Sequence, residues 1–189
     1  MGLIFLIACQ PSEKLDTGFD LNQEPTYTLD EVSVNELIIT EIMINPTDCD
    51  DTQAEYIEIR NNSGKWFNIN GLIIKDNISE HQLTDDVVVS PYSEILARIS
   101  NEENCFLLGE DFTYNLQLNN DGDSIEIANS DGVLDSVDFS SWEIPEGASL
   151  ILSEDKFSTE MNDVEESWCA STTPIANEYT NFGSPGIIN

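Results

Sequence analysis

Residues 114–139 read YNLQLNNDGDSIEIANSDGVLDSVDF. The stretch is dense in Asp, Asn and Gly, a composition shared by calcium loops and by tight turns between strands. Spacing separates the two. Leu116 and Leu118 flank Gln117, Ile125 and Ile127 flank Glu126, and Val133, Val137 and Phe139 share one parity against Ser136 and Asp138. A period of two is the mark of a strand with one buried face. Residues 119–123 and 129–132 then read as turns, the second holding the Asp131-Gly132 pair favoured in hairpins. The EF-hand pattern fails in both registers. Gly132 at loop position 6 puts Ile127 at position 1, and Gly122 there puts Gln117 at position 1 and Ala128 at position 12. The expectation is a three-strand meander. Asp135 sits on the apolar parity of its strand, so it is either buried with partners or displaced by a bulge.

The same grammar extends across the chain from Glu36. Short apolar runs, among them Leu37-Ile38-Ile39, Ile42-Met43-Ile44, Tyr56-Ile57, Leu72-Ile73-Ile74 and Val87-Val88-Val89, are separated by turn chemistry such as Asn45-Pro46 and Asn61-Asn62-Ser63-Gly64. No segment sustains a period of 3.6 over a helix length. Strands at this spacing predict an all-β sandwich or barrel.

Composition narrows the partners. The chain has 189 residues, 40% of them hydrophobic, which suffices for one domain with a core and an extension. It carries 37 acidic and 6 basic residues, a net charge of -31. With no basic patch to release counterions, nucleic acid and anionic membrane surfaces are poor partners, and no nucleic-acid partner is expected. Self-repulsion of this size destabilises the fold, and salt relieves part of it.

The motifs follow an order that resembles the lamin tail domain family. LIITEIMINP (37–46) resembles its opening strand with the N-E-I-x-x-N-P signature, Thr40 standing where Asn is usual. EYIEIRNNSG (55–64) resembles E-[FY]-[IV]-E-[IL]-x-N, and FNINGLIIKDN (67–77) resembles D-L-S-G-W-x-L-x-D, with Leu72 where Trp is common. VVVSPYSEILARI (87–99), LQLNNDGDSIEIANSDGVLDSVDF (116–139), ESWCASTTP (166–174) and GSPGIIN (183–189) continue the series. The resemblance covers about residues 36–189. It implies an immunoglobulin-like β-sandwich serving adhesion, tethering or scaffolding, with no catalytic residues and no cofactor. Bacterial members often accompany secreted hydrolases, so a hydrolase-associated domain is a further alternative.

The N-terminus, MGLIFLIACQ, is the one continuous apolar run and is too short to span a bilayer. Leu6-Ile7-Ala8-Cys9 resembles the bacterial lipobox, which implies cleavage before Cys9 and lipidation of that residue. No Lys or Arg precedes the run, which fits a translation start further upstream. Residues 1–8 read as the remnant of a lipoprotein signal peptide. Gln10 in place of Asp favours the outer membrane or cell surface over inner-membrane retention. Residues 9–35 are polar and acidic and show neither period, so they read as a flexible tether ahead of a lamin tail domain at 36–189. The expected protein is exported and monomeric. It is held to the membrane by lipid on Cys9, and its partner is an unknown protein or glycan.

Candidate sites are few. His81 is the single histidine, and no nucleophile elbow or phosphate-cradling loop accompanies it. Beyond Cys9 the cysteines are Cys49, Cys105 and Cys169. Tracing successive antiparallel strands puts Cys49 and Cys105 at one end of the sandwich, so this pair is the expected disulfide. Cys169 is the alternative partner, and an odd count leaves one thiol free. Zinc lacks a Cys-x-x-Cys spacing. Asp48, Asp50, Asp51 and Glu55 crowd one loop and form the candidate calcium set. Trp142, in a loop, is the candidate for contact with carbohydrate. A calcium- or carbohydrate-binding adhesion module is therefore the alternative function.

Overall fold

A computed structural model of the chain describes residues 27–99, 105–106, 109–176 and 179–186. Along the chain the elements are β1 (Tyr27–Thr28), β2 (Leu37–Met43), the one-turn helix α1 (Asp51–Ala54), β3 (Tyr56–Asn61), β4 (Phe67–Asn68), β5 (Ile73–Lys75), β6 (Glu80–Gln82), β7 (Val88–Val89), β8 (Glu94–Ile99), β9 (Phe112–Tyr114), β10 (Ser124–Asn129), β11 (Gly132–Asp138), β12 (Leu150–Leu152), a second one-turn helix α2 (Thr159–Asn162) and β13 (Trp168–Ala170). Helices of one turn carry no periodic signal, which is why the sequence shows none.

The strands form a six-stranded sheet in the order β13-β12-β2-β3-β8-β9, a four-stranded sheet β11-β10-β5-β6 and a small sheet β1-β4-β7. One continuous core joins them, with Ile39, Ile42, Ile57, Ile59 and Ala97 from the larger sheet and Ile74, Ile125, Ile127 and Val137 from the smaller. Each such Ile or Val, fully buried, contributes roughly 1.5–3 kcal/mol against leaving it in water. All seven residues of β2 are buried. The outer face of its sheet is therefore covered as well as the inner, and this explains why β2 reads as a near-continuous apolar run.

The opening stretch resolves with two corrections. β10 and β11 form the expected hairpin across Asp131-Gly132. Leu116 and Leu118 are buried as their parity required, but they lie outside any strand, so the three-strand meander is a two-strand hairpin preceded by an extended segment. Alternation reports burial and carries no information about ladder hydrogen bonds. Second, the register shifts between Ile127 and Ala128: Ile127 opposes Asp135 and Ala128 opposes Val133. The extra residue, Leu134, turns inward and Val133 outward, to 47% exposure, so Val133 does not share the face of Val137 and Phe139. Asp135 is thus both beside a bulge and buried.

The tether boundary also moves. Residues 27–35, expected as the end of the spacer, belong to the folded domain: β1 pairs with β4, and Leu29 and Val32 join the core. The Glu31 carboxylate accepts from the backbone N–H of Thr28 at 2.9 Å and its hydroxyl at 3.1 Å, closing the turn that aims Leu29 inward. Two isolated apolar residues in an acidic run gave no periodicity to read. The lipobox around Cys9 and the rest of the expected tether lie outside the described residues.

Candidate functional site

The most elaborate polar structure lies on the outer face of the six-stranded sheet. Glu41 on β2 and Glu58 on β3 are cross-strand partners, and both are wholly buried. Each occupies the outward parity of its strand, so burial must come from something laid over the sheet. Residues 179–186 are that cover. The backbone N–H of Ser184 donates to Glu41 Oε1 at 2.9 Å and its hydroxyl donates to Glu41 Oε2 at 2.6 Å. Tyr56 Oη (2.5 Å) and Ser149 Oγ (2.7 Å) also donate to Glu41 Oε1. The N–H of Gly186 donates to Glu58 Oε1, while Glu58 Oε2 is buried without a partner. Beside them Met43, Tyr56 and Leu96 pack with Ile175 as a small apolar cluster.

The electrostatics follow from burial. Desolvation pushes the Glu58 carboxyl well above the usual range, and the charges of Glu41 and Glu94 push it the same way. The nearby guanidiniums have their own partners: Arg60 lies 3.7 Å from Glu94, and Arg98 3.2 Å from Glu110. Gly183 crosses directly over Tyr56, and a Cβ there would collide with the phenol oxygen. These are motif residues of the resemblance, Glu41 and Glu58 in the first two segments and Ser184 and Gly186 in the last. Their joint role escapes sequence reading, because only the fold brings positions this far apart together.

The cysteine pairing stands as expected. Cys49 and Cys105 are joined, Cα atoms 6.1 Å apart. Cys105 N–H donates to the carbonyl of Gln53 at 3.3 Å, and the ring of Phe106 meets that of Tyr179 edge-on at 5.1 Å. The disulfide thus pins α1 and residues 105–106 against the covering segment. The expectation of a leftover thiol is not met: no described cysteine, Cys169 included, is free, and lipid on Cys9 is the one condition that would leave Cys169 without a disulfide partner.

The candidate calcium set is not brought together. Asp48 is occupied by Asn181 Nδ2 at 2.7 Å, the Thr180 hydroxyl at 2.9 Å and the Thr180 N–H, and these hydrogen bonds, that of Asn181 foremost, hold its carboxyl below the usual range. Asp50 stands just before α1, and Asp51 accepts from Asn120 Nδ2 at 3.0 Å. Glu55 turns inward to accept the N–H of Leu118 at 3.0 Å, and burial raises its pKa to about 9. Among the described residues no group of three or more His, Cys, Asp or Glu is arranged to hold a metal ion. Sequence proximity misled because α1 and the turn into β3 splay the four side chains apart.

Trp142, the candidate for contact with carbohydrate, sits where the core meets the surface. It is half-buried and packs against Phe139 and Trp168, ring centroids 6.5 and 6.1 Å away, at the margin of the core. His81 lies on β6, opposite Ile74, and its imidazole forms no hydrogen bond among the described residues.

The fold and its polar cover define an immunoglobulin-like, all-β sandwich. A family model described as Lamin Tail Domain matches residues 31–164, more than half of the chain, and the chain belongs to that family. The match begins five residues before the boundary expected from the motifs and ends at 164, ahead of the 166–174 and 183–189 segments that the resemblance also took in. No curated protein matches the chain.

Proposed function

We propose that this protein is a lipid-anchored, exported β-sandwich that acts as a non-catalytic interaction or scaffolding module. The observation that carries the reading is the Cys49–Cys105 disulfide in a lamin tail domain. Such bonds persist in oxidising compartments, which supports export. Lipid on Cys9 would supply the membrane attachment, and residues 10–26 a polar spacer between bilayer and sandwich. The strongly negative surface suits a protein or glycan partner with basic or neutral contacts.

Affinity capture from solubilised membranes tests the interaction, using the lipidated protein and a Cys9→Ser form exported by another signal. The expected result is one saturable protein or glycan partner retained by both forms. Recovery of none, with the fold intact by circular dichroism, overturns the interaction reading.

A further inference from the structure

We propose that residues 179–186 form a proton-held flap, closed over the six-stranded sheet while Glu58 is neutral and released when Glu58 ionises. The geometry carries this. The end of the flap, residues 184–186, is fastened to the sheet through two carboxyl groups: Ser184 to Glu41 through both backbone and side chain, Gly186 to Glu58. An apolar seam would be indifferent to protons, but this seam stacks two glutamates directly opposite each other across β2 and β3.

The groups facing Glu58 come from every element around it. They are Glu41 on β2, Glu94 on β8, Asp111 ahead of β9 and the flap's own Gly186. Three are acidic and none is a cation. Arg60 on β3 pairs with Glu94, and Arg98 on β8 pairs with Glu110. A second negative charge at this spot has no counter-ion and no water while the flap is down. Lifting residues 184–186 hydrates the pair and removes the conflict. The other attachments, Asp48 with Thr180 and Asn181, the backbone bonds between Phe182 and residues 147 and 149, and the 2.7 Å bond from Gly183 N–H to the Thr173 carbonyl, sit earlier in the segment. They form the hinge side, so the end that moves is the end over the glutamates. Opening would expose Glu41, Tyr56 and Glu58 together, an acidic strip with an aromatic floor.

Proton linkage sets the size of the effect. In the open form Glu58 ionises near 4.5, its ordinary value, and in the closed form well above it. Between those two points the opening equilibrium rises about tenfold per pH unit. Amide hydrogen exchange on the full chain, read by NMR at Ser184 and Gly186 and corrected for intrinsic base catalysis, measures it directly. The expected result is a tenfold loss of protection per unit as pH rises above the ordinary glutamate range, absent from Glu58→Gln. Strands β4 and β7, outside the seam and carrying none of the buried carboxyls, serve as the internal control. Protection at Ser184 and Gly186 that is independent of pH, or a loss that persists in Glu58→Gln, overturns the proposal. Should that variant not fold, the carboxyl carbon of Glu58 in the wild-type protein decides. Titration well above 4.5 together with the flap amides supports the flap, and titration near 4.5 refutes it.

Discussion

The carboxylate of Asp135 accepts the backbone N–H of Ile39 at 2.7 Å, a bond between an edge strand of one sheet and a central strand of the other. The same oxygen takes Asn162 Nδ2 at 2.7 Å, and Asn162 in turn accepts Trp168 Nε1 at its carbonyl, also at 2.7 Å. The register of β2 shifts between Ile39 and Glu41, so a bulge in β2 faces a bulge in β11 and Asp135 spans the gap. An inward-pointing acid and a bulge on an edge strand also discourage pairing with a neighbouring chain.

Replacing Asp135 by Ala therefore leaves the Ile39 N–H buried without an acceptor and the Asn162 amide with only its 3.4 Å bond to the Ile39 carbonyl. The expected loss is about 2–4 kcal/mol in urea denaturation at neutral pH. Asp135→Asn, which keeps an acceptor oxygen, should lose less than half of that. An Ala variant as stable as wild type would remove this bond from the account.

Stability should fall as pH rises. Burial lifts Asp135 from 3.8 to about 7 and Glu55 from 4.5 to about 9, and raises Glu58 as well. The folded state then binds more protons than the unfolded state above about pH 4, so each group's contribution is complete below its unfolded pKa and is lost as pH climbs to its folded one. For Asp135 alone the shift corresponds to roughly 4 kcal/mol, gone by about pH 7. Urea midpoints should decline from about pH 5 to pH 8.5, with part of the decline absent in Asp135→Asn. A rising or flat profile contradicts the burial of these three carboxyls.

Thr40 is wholly buried and its hydroxyl has no partner. Its methyl packs, but its oxygen has been stripped of water without compensation. Thr40→Val keeps the branched shape and deletes the orphan oxygen, so it should stabilise by about 1 kcal/mol. Loss of stability in a thermal melt would show that the hydroxyl is satisfied in solution.

The disulfide closes a separation of 56 residues. The chain-entropy relation gives about 4 kcal/mol for a loop of this length. Cys49→Ser with Cys105→Ser should lower the melting temperature by on the order of 10 °C and should raise hydrogen exchange first at residues 105–106 and 179–182. Equal melting of wild type and double variant would mean the corner is held by Asp48 and the aromatic contact alone.

How much of this was legible depended on what each signal reports. Strand positions and the Cys49–Cys105 pairing could be read because β2 and β8, both antiparallel to β3, run the same way and end at the same side. The seam over Glu41 was not legible. A glutamate inside LIITEIM reads as solvent-facing, and its burial is decided by Ser184, 143 residues away. The calcium set looked plausible because four carboxylates were close in sequence, whereas side-chain direction is set by α1 and by Leu118. Asp135 was flagged by its parity, but the answer required the bulge at Leu134.

The central claim, a disulfide-closed lamin tail module anchored by lipid, is tested most directly by peptide mapping under non-reducing conditions of protein isolated from its own membranes. The account predicts a mature N-terminus at Cys9 bearing thioether-linked lipid, together with a Cys49–Cys105 cross-linked peptide. Recovery of Cys9 as a bare thiol, or in a disulfide with Cys169, contradicts it, since one sulfur cannot hold both the lipid and a second bond.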